Sequence, residues 1–213
     1  MRVPGPASFL EPKHMSRSDH ETIRETVLND TRRWLERAVI GLNLCPFAKS
    51  VYVKGQVHLA VSAAVDATSL LLDLIGELQA LNAAEPQARD TTVLIAPYCM
   101  HDFLDFNDFL SEADDALRAL QLEGTLQIAS FHPQYQFAGT TPDDITNFTN
   151  RAPYPTLHLL REASIDRAVA AFPDAEAIFE ANMTTLQRLG HAGWNTLDLG
   201  PGVSRDESPG STA

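Results

Sequence analysis

The chain has 213 residues, of which 44% are hydrophobic and 21% are charged, and this composition excludes an intrinsically disordered protein. A formal net charge of -12 argues against a nucleic-acid partner, because binding to a phosphate backbone requires clustered Lys and Arg. The two cysteines are too few for the disulfide framework of a small secreted protein, and they favour a reducing compartment.

The ends of the chain differ in composition from its middle. Residues 1–18 hold no apolar run long enough for a signal peptide, and we expect a disordered extension there, with Met1 and Met15 both open as the start. Residues 201–213 are rich in Ser, Gly and Pro and are expected to form a disordered tail. No later run approaches the length of a membrane span. We therefore expect a cytoplasmic protein with one α/β domain over residues 19–200 and no membrane partner.

The first element is a predicted helix over residues 19–40, where apolar residues recur at helical spacing. Asp19 is suited to cap its beginning and Gly41 to end it. A turn follows, in which Pro46 restricts Cys45 to extended backbone geometry.

Strands and helices then alternate along the chain. Alternating apolar residues predict a strand near 56–62, and a run of leucines predicts the helix that follows. A continuous apolar run at 91–96 predicts a strand buried on both faces, and after another helix a third strand is predicted at 125–131. Strands separated by such helices are normally parallel, so the sequence predicts a small, mostly parallel sheet flanked by helices.

Residues 133–155 form a predicted long loop, in which turn formers alternate with aromatic residues. The aromatic residues favour an ordered loop. A strand or a helical turn is expected at 156–160, then a short helix at 165–171. Asp174 is suited to cap a final helix, and Gly190 to end it.

The stretch 102–123 carries seven acidic residues against the single Arg118. It is best interpreted as the solvated face of a helix. Calcium binding is the weaker interpretation, because the glycine-bearing loop spacing of an EF-hand is missing.

Polar side chains follow the second and third strands, at the end of a sheet where ligands gather in parallel α/β folds. The first of these loops holds Cys99, His101 and Asp102, and the second begins at His132. A zinc-like site built from Cys99, either His101 or Asp102, and His132 is chemically reasonable, although no CxxC or HExxH motif supports it. The alternative is that Cys99 is a small core residue and His101 a solvated loop residue.

Cys45 and His132 offer a second hypothesis, in which a thiolate is paired with an imidazole base. Their separation in sequence does not forbid contact, but the residues around them match no established cysteine hydrolase motif. Cys45 as a core residue is the alternative. His158, between two leucines, is better explained as a core histidine than as a ligand.

Arg151 is the only positive charge between Arg118 and Arg161. Its planar guanidinium is suited to hold a carboxylate or phosphate, with Asn150 next to it in sequence and Tyr135 in the same long loop. The alternative is an internal pair with Asp143 or Asp144 that fixes the loop. Asn147 and Asn182 match the glycosylation sequon, which is accidental in a chain without a secretory signal.

Three strings are specific enough to suggest a family: GLNLCPFA at 41–48, FHPQYQFAG at 131–139 and TNRAPYPTLHLLRE at 149–162. They resemble a bacterial family known only as a domain of unknown function, over about residues 22–189. That resemblance implies no activity, cofactor or catalytic residue. Because Cys99 and His101 lie outside the strings, it shifts preference toward Cys45, His132, Tyr135, Asn150 and Arg151.

The leading hypothesis from the sequence is an enzyme that acts on a small anionic metabolite. His132 would be the acid or base, Cys45 a nucleophile or metal ligand, and Asn150 and Arg151 the anion binders, with Tyr135 beside them. The alternatives are a binding or assembly module that uses the same loop as an interface, and a metal-binding protein with Cys and His ligands. The sequence indicates no particular cofactor, substrate or oligomeric state.

Overall fold

The computed structural model of the protein describes residues 17–171 and 175–201. The helices are α1 (Arg17–Arg33), α2 (Ala48–Val53), α3 (Ala67–Ala83), α4 (Phe103–Ala119), α5 (Glu162–Ala171) and α6 (Ala175–Asn195). The strands are β1 (Val57–Val61), β2 (Thr91–Ile95), β3 (Leu126–Phe131) and β4 (Thr156–Arg161). A π-helical segment (Trp34–Ile40) follows α1, and a 3-10 helix (Ile145–Asn150) lies between β3 and β4. Residues 1–16 of the expected extension, residues 202–213 of the expected tail and the predicted cap Asp174 lie outside the described residues.

The four strands form one sheet in the order β1-β2-β4-β3. β1 and β2 are parallel as predicted, but β4 runs antiparallel to both β2 and β3. The prediction of a mostly parallel sheet is therefore wrong, and the sheet is mixed. The connection after β3 explains the difference. It is a loop with one 3-10 helix and no crossover helix, so β4 starts at the end of the sheet where β3 finishes and runs back in the opposite direction.

Helices cover the two faces of the sheet. On one face, leucines of α3 such as Leu74 and aromatic residues of α4 such as Phe106 pack with Leu94 of β2. On the other face, the π-helical segment and α6 pack around Trp34 and Trp194. Each large apolar side chain buried in this way contributes about 1.5–3 kcal/mol relative to an exposed position.

The predicted first helix changes its geometry at Trp34, where α-helix gives way to π-helix as far as Ile40. Trp34 is buried and its indole N–H donates to the carbonyl of Arg151 at 2.9 Å, which joins this segment to the β3–β4 loop. Such π-helical turns are rare in proteins, and those that occur often lie near functional sites. The sequence pattern gave no sign of this one.

The last helix is broken where the sequence predicts its end. Gly190 has a non-helical backbone, with φ 61° and ψ 174°, and a second short helical segment follows it as far as Asn195. A left-handed φ of this kind favours glycine. The kink lets Trp194 reach the core, where its ring lies 5.0 Å from that of Phe148.

Candidate functional site

Three loops meet at one edge of the sheet. The last residues of β1, β2 and β3 lie in register there with Thr156, the first residue of β4. The predicted polar loops after β2 and β3 are therefore neighbours, separated by β4. This carboxyl edge is where ligands gather in sheets with parallel strands.

An open depression of about 540 Å³ lies at this edge, between the loop after β1 and α4; we call it the carboxyl-edge depression. Its apolar lining includes Met100 and Phe109, and Tyr98 and His101 add an aromatic hydroxyl and an imidazole. The other polar groups of the lining are four carboxylates: Asp66, Asp105, Asp108 and Glu112. A ligand in this depression would meet an acidic rim above a partly apolar floor.

The β2–α4 loop, residues 96–102, forms one wall of the depression. Met100 has φ 59°, a left-handed conformation that costs free energy for a residue with a side chain. Asp102 ends the loop by capping α4, since its carboxylate accepts from the backbone N–H groups of Leu104 and Asp105 at 2.8 Å and 3.2 Å.

Cys99 is 5% exposed, and it packs in the core below the depression. Burial, together with the carboxylates of Asp66 and Asp73, raises the pKa of Cys99 to about 11. The side chain is therefore a thiol at neutral pH, as expected for a core residue. Within residues 17–171 and 175–201, no three His, Cys, Asp or Glu side chains come together as a metal site would require.

His132 is fully buried at the end of β3, with both ring nitrogens bonded to the backbone. The Gln134 N–H donates to Nδ1 at 3.0 Å, so Nε2 carries the proton and donates to the Met100 carbonyl at 2.9 Å. Burial lowers the pKa of His132, which keeps the ring neutral. The imidazole thus holds the strained residue of the neighbouring loop and has no nitrogen left for the sulfur of Cys45.

Tyr135 and Asn150 also contact other groups of the protein itself. The ring of Tyr135 lies 5.2 Å from that of Phe103 and 5.0 Å from that of Phe137, and burial raises the pKa of its hydroxyl. The Asn150 side-chain amide donates to the Ser130 carbonyl at 3.3 Å, and its backbone carbonyl accepts from the His132 N–H at 3.1 Å.

Arg151 fixes the β3–β4 loop from within. Its guanidinium donates to the carbonyls of Tyr135 at 3.3 Å and Pro142 at 2.7 Å, and it stacks 4.2 Å from the centre of the Phe148 ring. Arg151 therefore pins the loop, and it does so through main-chain carbonyls.

Cys45 lies on the other helical layer, in the turn between the π-helical segment and α2. It is half-buried, and its neighbour Leu44 is held by the Asn182 side chain, which donates to the Leu44 carbonyl at 2.9 Å. The pairing of a Cys45 thiolate with a His132 base stays a prediction, and the bonds that His132 makes to backbone groups weigh against it.

Asn147 organises the β3–β4 loop although the sequence marked it only as an accidental sequon. It is fully buried, and its Oδ1 accepts from the Phe137 N–H at 3.0 Å and the Thr140 hydroxyl at 2.8 Å. Its Nδ2 donates to the Thr141 carbonyl at 2.8 Å. Asn within a turn-rich loop is the one signal that could have suggested this role.

Sequence reasoning also missed the acidic wall of the depression. Asp105, Asp108 and Glu112 recur at spacings of three and four residues and so share one side of α4. All three are exposed, so their interpretation as part of a solvated helix face is confirmed, and their spacing is the signal that could have marked them as a group.

Residues 26–196 match the family described as "Protein of unknown function (DUF1415)". The chain belongs to the DUF1415 family. No curated protein and no solved structure matches the DUF1415 chain. The match covers most of the region over which the three strings suggested a family of unknown function, and it confirms that prediction. In the described residues of this DUF1415 protein, no helix is both long and apolar enough to cross a bilayer.

Proposed function

We propose that this protein binds a small organic cation, an amine or a guanidine, in the carboxyl-edge depression. The observation that carries the proposal is the lining of the depression, in which the carboxylates of Asp105, Asp108 and Glu112 accompany aromatic and apolar side chains; a fourth carboxylate, that of Asp66, also caps α3. The depression also lies outside the ends of two adjacent parallel strands, β1 and β2.

Charge favours a cation over an anion at this place. The lining contains Asp66, Asp105, Asp108 and Glu112 but no Lys or Arg, and the whole chain carries a net charge of -12. An acidic concave surface concentrates cations and repels anions. An anionic metabolite would have to bind against this field.

The apolar and aromatic part of the lining favours an organic cation over a bare metal ion. Tyr98, which is partly exposed, offers a ring that attracts a cationic group by about 0.5–2 kcal/mol when it contacts it. An organic cation also buries its carbon atoms against Met100 and Val65, which a metal ion cannot do.

The hypothesis of an enzyme acting on a small anionic metabolite through His132, Asn150 and Arg151 stays a prediction. These side chains already bond to backbone groups, so a ligand would have to displace those bonds. Catalysis on an organic cation would instead draw on His101 and Tyr98, which line the depression. A cytoplasmic location is part of the same proposal.

The proposal is tested by titrating the full chain with spermidine, arginine amide and tetramethylammonium, with citrate and phosphate as anionic comparators. Binding is measured by calorimetry and by backbone amide shifts in the β2–α4 loop. Asp105→Asn with Asp108→Asn should weaken cation binding by about tenfold or more, because two charges of the rim are removed.

The matched control is Asp114→Asn with Asp115→Asn, which removes the same charge from exposed positions of α4 outside the lining. It should change the affinity by less than about threefold, as expected for screened charges. If no cation binds below 10 mM, the proposal fails. Anion binding that is lost in Arg151→Gln and kept in the Asp105 and Asp108 variant would support the enzyme hypothesis instead.

A further inference from the structure

The sheet has two outer strands, β1 and β3, and the surroundings of β1 suggest a second binding surface. Beside β1 lies an open depression of about 640 Å³, which we call the edge-strand groove. One wall is α1, and the other is the strand with the turn before it. The groove is lined by Arg24, Leu28, Arg32, Tyr52, Gly55, Val57, His58 and Leu59.

The hydrogen-bond pattern of β1 shows which backbone groups face the groove. The Ser62 N–H donates to the Ile95 carbonyl at 2.8 Å, and the Gln56 carbonyl accepts from the Thr91 N–H at 3.3 Å. Backbone groups alternate between the two sides of a strand, so even-numbered residues bond to β2. The groups of the odd-numbered residues face outward, and within the described part of the chain no strand pairs with them. These residues are Val57, Leu59 and Val61.

The other outer strand, β3, has part of its outward edge covered. At β3 the Asn150 side chain donates to the Ser130 carbonyl, so the β3–β4 loop covers part of that edge. A bare edge is a template for pairing with another strand, and proteins normally protect such edges. β1 is therefore the edge of this sheet that is prepared to accept an added strand.

The charges of the edge-strand groove indicate the chemistry of the occupant. Its lining holds the cations Arg24 and Arg32 and no carboxylate, in a chain of net charge -12. Burial lowers the pKa of His58, so this imidazole adds no charge near neutral pH, and the Glu36 carboxylate beside the groove accepts from the Tyr52 hydroxyl at 2.6 Å. Arg24 has a long contact of 3.9 Å with Glu21, and Arg32 donates to the Asn29 side chain at 3.1 Å. Such exposed contacts contribute at most about 1 kcal/mol, so a ligand carboxylate can replace them.

We propose that the edge-strand groove binds an extended acidic peptide segment of a partner protein, which adds to the sheet as a strand beside β1. Main-chain hydrogen bonds to the outward groups of Val57, Leu59 and Val61 give affinity, and Arg24 and Arg32 select acidic side chains. Leu28 and Tyr52 receive the apolar side chains that alternate with them. A second copy that pairs through its own β1 is disfavoured as occupant, because that strand carries no acidic residue and would bring a second Arg24 and Arg32 to the interface.

The experiment begins with a phage-displayed library of random nine-residue peptides, selected on the full-length protein. Acidic peptides with alternating β-branched residues should be enriched. A synthetic peptide of the enriched sequence should lose at least tenfold in affinity for a protein carrying Arg24→Glu and Arg32→Glu. No enrichment, or equal binding to that variant, would overturn the proposal.

The matched control carries Arg118→Glu and Arg167→Glu, at exposed arginines of α4 and α5. Arg118 forms an i,i+3 pair with Asp115, as Arg24 does with Glu21, so the two variants lose comparable helix contacts. The control should bind the peptide within about threefold of wild type. Equal weakening in both variants would point to overall charge and would refute a specific groove.

Two measurements on wild-type protein keep the test independent of how the variants fold. N-methylation of every second peptide amide should abolish binding in one register and spare it in the other, because only alternate amides face β1. Amide exchange at Val57, Leu59 and Val61 should slow at least tenfold on binding, whereas His58 and Ala60 should not change. Binding that tolerates both methylation registers, or a homodimer that pairs β1 with itself, would overturn the proposal.

Discussion

The β2–α4 loop and the β3–β4 loop meet at the same edge of the sheet but use their polar groups differently. In the β2–α4 loop, His101 and Tyr98 line an open depression. In the β3–β4 loop, His132, Asn147 and Arg151 bond to backbone groups of the protein itself. A long loop can thus be rich in polar residues because its own backbone groups need hydrogen-bond partners. Richness in polar residues alone does not locate a ligand site.

The contrast between the two loops predicts its largest effect on stability at His132. His132→Ala removes two hydrogen bonds and leaves a buried cavity, so we expect a loss of about 3–5 kcal/mol in the free energy of unfolding. His101→Ala, at an exposed position in the other loop, should cost less than about 1 kcal/mol. Urea unfolding at pH 7 measures both. A loss below 1 kcal/mol for His132→Ala would show that the ring is not a structural anchor.

Buried His132 and half-buried His158 should make stability depend on pH. Burial within the sheet lowers the pKa of His158 to about 4, and the Thr91 hydroxyl, which donates to the Leu159 carbonyl, accepts from its Nε2. A histidine with a lowered pKa in the folded state takes up its proton more readily when unfolded. Stability is therefore retained above about pH 6.5 and lost as the pH falls toward 4, by up to about 3 kcal/mol from this residue.

The measurement is urea unfolding at half-unit steps from pH 7 to pH 4. His158→Gln should flatten the pH dependence, and the exposed control His101→Gln should leave it as in wild type. The lowered pKa of His132 acts in the same direction, so the slope in His158→Gln should not vanish. A profile unchanged by His158→Gln would contradict the assignment.

Arg151 should show the smallest of these effects, and its variants separate two contributions, because its contacts use both its charge and its planar shape. Arg151→Gln should cost about 1–2 kcal/mol in unfolding free energy and expose residues 132–155 to limited proteolysis, since the loop loses two carbonyl bonds and a stacking contact. Arg151→Lys keeps the charge but not the fork, and it should behave like the Gln variant. If Lys restores wild-type behaviour, the positive charge matters more than the two carbonyl bonds.

Much of the local structure was predictable from the sequence. Apolar spacing located the four strands to within about one residue of their observed bounds and indicated both α3 and α4, although it predicted β4 as either a strand or a helical turn. The rule that ligands gather at strand ends also directed attention to the loops after β2 and β3. These features depend on neighbouring residues, whose periodicity a sequence displays directly.

The candidate site was less predictable. The sequence placed its preferred residues in the β3–β4 loop and at Cys45, whereas the open concave surface lies at the β2–α4 loop. His132 and Cys45 looked like a base and a nucleophile because residue type says nothing about hydrogen-bond partners. Whether an imidazole is available depends on which carbonyl and N–H groups the fold brings to it, here those of Met100 and Gln134.

By itself, then, the sequence determined the fold class, the positions of its elements, the acidic balance of the chain and the segments that identify its family. Only the tertiary structure decided that β4 runs antiparallel between β2 and β3, that the polar residues of the β3–β4 loop serve the backbone, and that an acidic side of α4 faces a depression. The physical reason is that these outcomes depend on contacts between residues far apart in the chain. Such contacts leave no periodic pattern in the sequence.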